Sequence, residues 1–327
     1  MYALVDVVAP LILDFLLLTP SGHIPVLYDE LIDGLALDDF SWPKVVVDCT
    51  LGLGGHASGV FEWLEKADTF VGFDAYEKNF TRSKQALENL PSGTKTHFFQ
   101  TNFRNIATCL ESVGIQGVSH VYADLGVSSV HFDDEESSFS FRSDAPLDMR
   151  LDIRSDARMA REIIAGESFE RLADIFRIYA DEKNAGRIAR AIVNDREDTP
   201  FDTTRQLADL IDRVTHSKKS IARCFQALRI AVNDEYGALE DLLDQAHDLL
   251  LPWGRMAIIS FHSGEDRIVK HKFCAWSEDE IDDITGQAAV LADFERITKK
   301  PITPSESEID NNPRARSAKM RVIKKRV

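Results

Sequence analysis

Paired cysteines are missing from this chain of 327 residues: Cys49, Cys109, Cys224 and Cys274 stand far apart, and no C-x-x-C occurs. That spacing argues against zinc-ribbon and thioredoxin-like motifs, and it predicts no metal site and a reducing, cytoplasmic setting. A basic excess is missing too. Lys and Arg number 38 against 54 Asp and Glu, a formal net charge of −16, which excludes a uniformly basic nucleic-acid binder. No Lys or Arg precedes Lys44, so the positive region of a secretory signal is not found. The apolar run Val7–Leu18 contains Asp14 and is too short to span a bilayer, so no membrane association is expected. Residues 1–22 read as an N-terminal extension.

What is present is an ordinary globular balance, 44% hydrophobic and 28% charged, at a length that suits one large domain or two smaller ones. The charge is unevenly placed. From Lys299 to Val327, nine Lys or Arg face three acids. This C-terminal segment is either the strongest local attractor for an anionic partner or a solvated end.

The first half alternates strand and helix patterns. Lys44–Thr50, Thr69–Asp74, Thr96–Phe103 and Val118–Asp124 read as strands, with helices over an amphipathic stretch to Glu65 and over Glu77–Leu90. From about Val130 to Tyr236 the strand signal vanishes. Helices are expected over Asn184–Arg196, Thr204–Val214 and, as one long element, Ile221–Leu242. Strand character returns at Arg255–His262 and Lys319–Lys324. The pattern predicts an α/β domain with a parallel sheet, interrupted by an all-helical insertion. The expected divisions are 1–22, 23–129, 130–235 and 236–327.

Three segments could carry chemistry. Gly52-Leu53-Gly54-Gly55-His56-Ala57 lies between a strand and a helix, and Asp74 ends the next strand. Such a turn lets a ligand approach the backbone and offers an acid to ribose hydroxyls, but it fits NAD, FAD and S-adenosylmethionine equally, or a purely structural turn. Asp124-Leu125-Gly126-Val127-Ser128-Ser129 follows the fourth strand, so Asp124 stands where open α/β sheets bind ligands. Arginines 142, 150, 154, 158 and 161 cluster, and Lys183, Arg187 and Arg190 share one helix face. These are phosphate contacts or an ordinary salt-bridged surface. His262-Ser263-Gly264-Glu265-Asp266 resembles a hydrolase triad only in composition and reads as a structural network.

Taken together, several stretches resemble the ribosomal RNA small subunit methyltransferase H family, also called MraW. They are HIPVLYDELIDGL from His23, VVDCTLGLGGH from Val46, ADLGVSS from Ala123, FSFRSDAPLDMRLD from Phe139, RIARAIVNDR from Arg187, ARCFQALRIAVNDE from Ala222, GRMAIISFHSGEDRIVK from Gly254 and KKPITPSESEIDNNPRARSAKMRV from Lys299. They run in family order from His23 to the C-terminus.

The resemblance implies a Rossmann-like class I methyltransferase sheet domain with an inserted helical domain for RNA recognition. It implies S-adenosylmethionine as cofactor and methylation of N4 of a cytidine in the decoding centre of the small-subunit rRNA. The partner is then that rRNA or the assembled small ribosomal subunit, and a homodimer stays open. Carried over, the cofactor contacts are Gly54, Gly55, His56, Asp74, Phe103 and Asp124, with His131 standing where the family has Gln. Asp124 and Ser128 are the candidates for catalysis. Arg142, Arg150, Arg187, Arg190, Arg314 and Arg316 are the candidates for RNA contact, with Phe139 and Phe141 available to stack the base. A non-catalytic RNA-binding or ribosome-assembly factor on the same fold is the alternative reading, and an NAD-dependent oxidoreductase shares only the glycine turn and Asp74.

Overall fold

The structure, a computed structural model, describes residues 25–88, 93–127, 138–142, 144–281 and 288–327. The chain forms two compact units, Met1–Gly126 with Leu239–Val327, and Val127–Ala238. The first opens with α1 (Tyr28–Leu35), β1 (Val45–Asp48), α2 (Gly55–Phe61), β2 (Thr69–Phe73), α3 (Glu77–Glu88), β3 (Lys95–Phe99), α4 (Ile106–Ser112) and β4 (Val118–Asp124). The second contains α5 (Ala160–Gly166), α6 (Phe169–Ala180), α7 (Ala185–Asp195), α8 (Thr204–Thr215) and α9 (Lys218–Asn233). The chain then runs through α10 (Glu235–Leu249), β5 (Leu250–Ser260), α11 (Ser263–Trp276), β6 (Glu280–Ile281), β7 (Ala288–Val290), β8 (Phe294–Arg296), α12 (Glu306–Asn311) and β9 (Lys319–Lys325).

Seven strands form one sheet in the order β3-β2-β1-β4-β5-β9-β8, while β6 and β7 pair separately. Strands β3, β2, β1, β4 and β5 are mutually parallel, and β9 runs antiparallel to both β5 and β8. Alternate side chains supply the two faces. Val47, Val71, Val121 and Ile258 pack with Leu110 of α4, Leu242 of α10 and Phe273 of α11. Val46, Phe70, Tyr122 and Ala257 pack with Leu31 of α1, Val60 of α2 and Leu87 of α3. Both faces are covered, which explains why the strands read as nearly continuous apolar runs. The sheet is therefore a Rossmann-like, doubly wound one, with its ligand-binding edge at the carboxyl ends of the parallel strands.

Among the described residues the second unit is helical apart from one isolated bridge, Pro146 to Thr203. Its core joins Ile163, Phe176, Ile188, Leu207, Phe225 and Leu228. Side-chain caps start three of these helices: Ser168 accepts from the Arg171 N–H, Thr203 from Gln206 and Ser217 from Ser220.

Four expected elements differ in extent by more than two residues. The expected helix to Glu65 ends at Phe61, where i−3 bonds from Trp63 and Leu64 tighten the last turn. The strand expected over Thr96–Phe103 ends at Phe99, because Asn102 accepts the Arg104 N–H and starts a 3₁₀ turn at Phe103. The long helix expected over Ile221–Leu242 is two helices. Asp234 takes a left-handed φ of 47° and its N–H closes α9 on the Ile230 carbonyl, so the apolar stripe continues while the axis does not. Strand β5 starts at Leu250 rather than Arg255, carrying an irregularity in its pairing with β4 between Val118 and His120. No helix among the described residues is long and apolar enough to cross a membrane.

Candidate active site

The register of the parallel strands brings three carboxylic acids to one edge. Asp48 ends β1 beside Gly72 of β2 and Tyr122 of β4, Asp74 follows β2, and Asp124 ends β4. Asp48 is buried and accepts hydrogen bonds from the Tyr122 hydroxyl at 2.9 Å and the Thr50 N–H at 2.9 Å. Burial nevertheless pushes its carboxyl up to about 7, against those two bonds and helped by the charge of Asp74. Thr50 also reaches the third acid, since its hydroxyl oxygen accepts the Asp124 N–H at 2.6 Å.

Between β1 and α2 the chain makes its glycine turn. Gly52 and Gly54 hold φ of +53° and +82°, where side chains are strained, and Gly54 is the N-cap of α2. A Cβ on Gly55 would come within 2.5 Å of Pro25, so the chain before α1 lies directly on this turn. Asp74 fixes the turn from the other side. Its carboxylate accepts the Gly52 N–H and the Tyr76 N–H, each at 2.8 Å. Burial lifts Asp74 to about 7 as well, despite these bonds and one with Asn79.

Asp124 and His56 meet at the same edge. The His56 Nδ1 lies 3.6 Å from Asp124 Oδ2, and its Nε2 lies 2.9 Å from the Val26 carbonyl oxygen. The ring is buried and stacks on Tyr28, with centroids 6.4 Å apart and planes at 19°. The other carboxylate oxygen, Oδ1 of Asp124, is buried and has no hydrogen-bond partner among the described residues. Burial raises the Asp124 carboxyl well above its ordinary range, and the neighbouring charges of Asp48 and Glu265 add to that.

The remaining site candidates divide clearly. Phe103 is half-buried against the cluster that holds Phe73 and Ile106. Ser128 and His131 lie outside the described residues, as does the extension 1–22. The His262 cluster is structural: His262 caps α11, and Glu265 is buried, accepting the Phe261 N–H at 2.9 Å and lying 3.0 Å from His262 Nε2. Phe139 is buried in the helical core, so its ring is not presented for stacking, contrary to expectation, while Phe141 is partly buried and meets Phe225 in a T-shaped contact. Sequence reasoning missed Asp48, Thr50 and Tyr122, whose contacts depend on strand register. The only trace was a polar residue, Asp48, inside an otherwise apolar run.

The arginines differ in what they already hold. Arg150 makes a two-pronged pair with Asp148, at 2.7 and 3.0 Å, and each partner shifts the other's pKa toward the charged form. Arg142 is exposed. Arg187 and Arg190 are exposed on α7, yet Arg187 donates to the Val214 carbonyl at 2.8 Å and Arg190 covers the Phe169 ring at 4.0 Å. Arg314 and Arg316 are exposed in the turn before β9.

A glycine turn held by one acid, with a second acid keeping a buried oxygen unsatisfied, can bind a ligand carrying hydroxyls and positive charge, and it can accept a proton. The comparisons with known proteins agree with that chemistry. The MraW methylase family matches residues 20–326. The ribosomal RNA small subunit methyltransferase H of Clostridioides difficile is 38% identical over 312 residues, 93% of this chain and 98% of that protein. The protein of the same name from Fusobacterium nucleatum is 38% identical over 313 residues, 93% and 96% of the two chains. A solved rRNA methylase from Streptococcus thermophilus aligns over 93% of this chain and 99% of its own, at 11% identity and a TM-score of 0.41. The weight rests on the sequence relatives and on the extent of the family match. The chain belongs to the MraW methylase family.

Proposed function

We infer that the chain transfers a methyl group from S-adenosylmethionine to N4 of a cytidine in the decoding centre of small-subunit rRNA. The observation that carries the reading is the carboxyl edge itself: the Gly52–Gly54 turn held by Asp74, with Asp124 Oδ1 buried and unpartnered among the described residues beside it. The residues suit the cofactor. Asp74 stands where a ribose is met at the end of a second strand, the glycines let it approach the backbone, and the carboxylates complement its positive charge. When bound, the cofactor supplies an activated methyl on sulfur.

The chain's own residues have three tasks. The cytosine amine is a weak nucleophile because its lone pair is delocalised into the ring, so the base must be held in line and close, which can contribute several kcal/mol. Asp124, fixed through its own N–H by Thr50, is the acceptor that faces the amine hydrogens as positive charge develops on nitrogen. Gly54, Gly55, His56, Asp74, Phe103 and Asp124 are the cofactor contacts we propose, with His131 as a further one, and Ser128 stays a candidate for catalysis beside Asp124. The base must be unstacked to reach such an edge, so the target is single-stranded or flipped out.

The RNA-facing set we propose is Arg142, Arg187 and Arg190 on the helical unit, with Arg314 and Arg316 before β9. Each of these is an exposed cation in a chain whose formal total is −16. Arg150 serves the fold through Asp148. The setting is the cytoplasm, and the substrate is the rRNA or the assembled small subunit.

The test is transfer of labelled methyl from S-adenosylmethionine to small-subunit rRNA, naked and assembled, with nucleoside analysis. Labelled N4-methylcytidine, lost in Asp124→Ala, is the expected result. RNA binding without cofactor binding or transfer would replace the reading with that of a non-catalytic binding factor.

A further inference from the structure

Toward the amino-terminal ends of the parallel strands, away from the glycine turn, two features work against the fold. The first is Trp253 of β5, whose φ of +68° lies in the left-handed region that favours glycine. Its neighbour Gly254 is pressed against β4, where a Cβ would come within 2.6 Å of the Ser119 carbonyl oxygen, so the turn has little room to relax. The indole is 48% exposed and joins none of the apolar clusters among the described residues. Backbone strain at a side chain that the core does not use points to a function for that side chain.

The second feature is a pair of like charges. Arg255 of β5 and Lys324 of β9 stand directly opposite each other in the antiparallel register, an arrangement that destabilises a sheet. Arg255 is partly compensated, since it donates to Asp39 at 3.1 Å and to the Gly34 carbonyl at 3.0 Å. Lys324 is not. Its Nζ lies over the Trp253 ring, 4.8 Å from the centroid, and among the described residues it pairs with no carboxylate, although Glu295 of β8 stands next to it in register. Both features meet in one cavity of about 60 Å³, lined by Asp39, Phe40, His120, Trp253, Arg255 and Lys324. Burial first, then the charges of Arg255 and Lys44, lowers His120 to about 3, so that wall is neutral. Phe40 meets His120 edge-on at 5.4 Å and the exposed Trp42 at 5.8 Å, which makes the rim aromatic.

We propose that this cavity takes a backbone phosphate of single-stranded RNA between Arg255 and Lys324, with the adjoining base against the exposed part of the Trp253 indole. Ligand pockets for whole small molecules run to about 300–1,000 Å³, so here an anionic group enters and the base stays on the rim. Cations that track the backbone, with rings on which bases stack, are how single strands are held without reading their sequence. A lone anion would relieve the opposed cations and leave the strained, exposed indole unexplained. The proposal rests on the reading of RNA as the substrate. It adds a contact near the end of β4 opposite Asp124, roughly 13 Å along the strand from it at about 3.3 Å per residue. The nucleotide held there is thus one other than the target cytidine.

The test uses the full chain and two variants, Trp253→Gly and Lys324→Gln, with a fluorescein-labelled single-stranded RNA oligonucleotide as the probe and anisotropy as the readout. Glycine suits the left-handed φ, so Trp253→Gly should melt at or above the wild-type temperature while binding RNA roughly fivefold to a hundredfold more weakly, the range for losing one stacked base. Lys324→Gln should bind more weakly and lower the salt slope by about 0.7, the share of one phosphate on a single strand. Cofactor affinity should be unchanged in both. Wild-type RNA affinity in Trp253→Gly, or an unchanged slope in Lys324→Gln, would overturn the site. So would a Trp253→Gly protein that melts lower, since the indole would then serve the fold, or a wild-type dimer that Trp253→Gly dissolves, since it would then join two copies. Inorganic phosphate that stabilises the wild type while both variants bind the oligonucleotide normally would reduce the cavity to an anion site. Methyl transfer separates the two readings. If the variants lose RNA affinity but the wild type methylates nothing, the site stands and the methyl-transfer reading falls; if the wild type methylates RNA and both variants bind like it, the reverse holds.

Discussion

Asp74 accepts the Gly52 N–H at 2.8 Å, so the residue that follows β2 holds the glycine turn that follows β1. Its second oxygen takes the Tyr76 N–H, which leaves the carboxylate fixed by backbone on both sides. Hydrogen bonds to a charged group contribute about 1.5–3 kcal/mol each. Asp74→Ala is therefore expected to lower S-adenosylmethionine affinity by roughly tenfold to a hundredfold, read by calorimetry. Asp74→Asn keeps one acceptor and should fall between. An Asp74→Ala protein that binds the cofactor normally would remove Asp74 from the site.

Stability should fall as pH rises from about 4 toward 7. Burial lifts Asp48 and Asp74 to about 7 in the folded chain, above the ordinary carboxylate value near 4 in the unfolded one. Between those values the folded state holds more protons, so the slope of unfolding free energy with pH is negative. Urea unfolding at pH 5 and pH 7.5 reads the effect, and Asp48→Asn should flatten it. Tyr122→Phe removes the hydroxyl that donates to Asp48 and should cost about 1–3 kcal/mol, more at pH 7.5 than at pH 5.

The same two acids predict protons leaving when the cofactor binds. A ligand with positive charge beside Asp48 and Asp74 lowers both carboxyl pKa values, so near pH 7 binding releases protons and affinity climbs with pH up to that range. Calorimetry in two buffers of different ionisation enthalpy counts them. The demethylated product lacks the sulfonium charge and should release fewer. Equal enthalpies in both buffers would show that neither acid senses the ligand.

Local pattern was enough for the strands that carry the site. The run Val118–Asp124 is β4 residue for residue, and Thr69–Asp74 differs from β2 only at its last position. Both are buried between helices, so composition and position coincide. Shorter signals did not survive: β8 is three residues, Phe294–Arg296, and its strand state comes from pairing with β9. The helix stripe from Ile221 to Leu242 ran through a real break, because Asp234 turns the axis without changing which side is apolar. Within the site, Asp74 and Asp124 were legible as acids ending strands. Asp48, Thr50 and Tyr122 were not, since the bond between Asp48 and Tyr122 exists only once β1 and β4 pair in register.

On the helical unit, Arg187→Ala with Arg190→Ala should weaken RNA binding and flatten its salt dependence. For single-stranded RNA the slope should drop by about 0.7 for each phosphate that these side chains neutralise. Cofactor affinity should be unchanged. Arg190 also covers Phe169, so some stability goes with it, about 0.5–1 kcal/mol for an exposed cation–π pair. Thermal melts separate that destabilisation from the binding effect. An unchanged salt slope in a folded double variant would show that this face does not meet RNA.

Strand β9 is tied to α11 by charge, and removing one side of that tie should be costly. Asp266 accepts from Arg321 Nε at 2.7 Å and from Lys319 Nζ at 3.2 Å, and both Asp266 and Arg321 are buried. Burial alone would raise the Asp266 carboxyl, but the two cations outweigh it and hold it below its ordinary value. Its stabilising effect is thus full at neutral pH and disappears as pH falls below about 4, through the depressed folded value. Asp266→Ala leaves the Arg321 guanidinium buried without its carboxylate, a change that typically costs about 3–5 kcal/mol. Replacing Arg321 by Met as well removes the stranded charge, so Asp266→Ala with Arg321→Met should be more stable than Asp266→Ala alone. Urea midpoints of the three proteins at pH 7 decide it: a double variant no better than the single one would mean that packing, not the unpaired charge, sets the destabilisation.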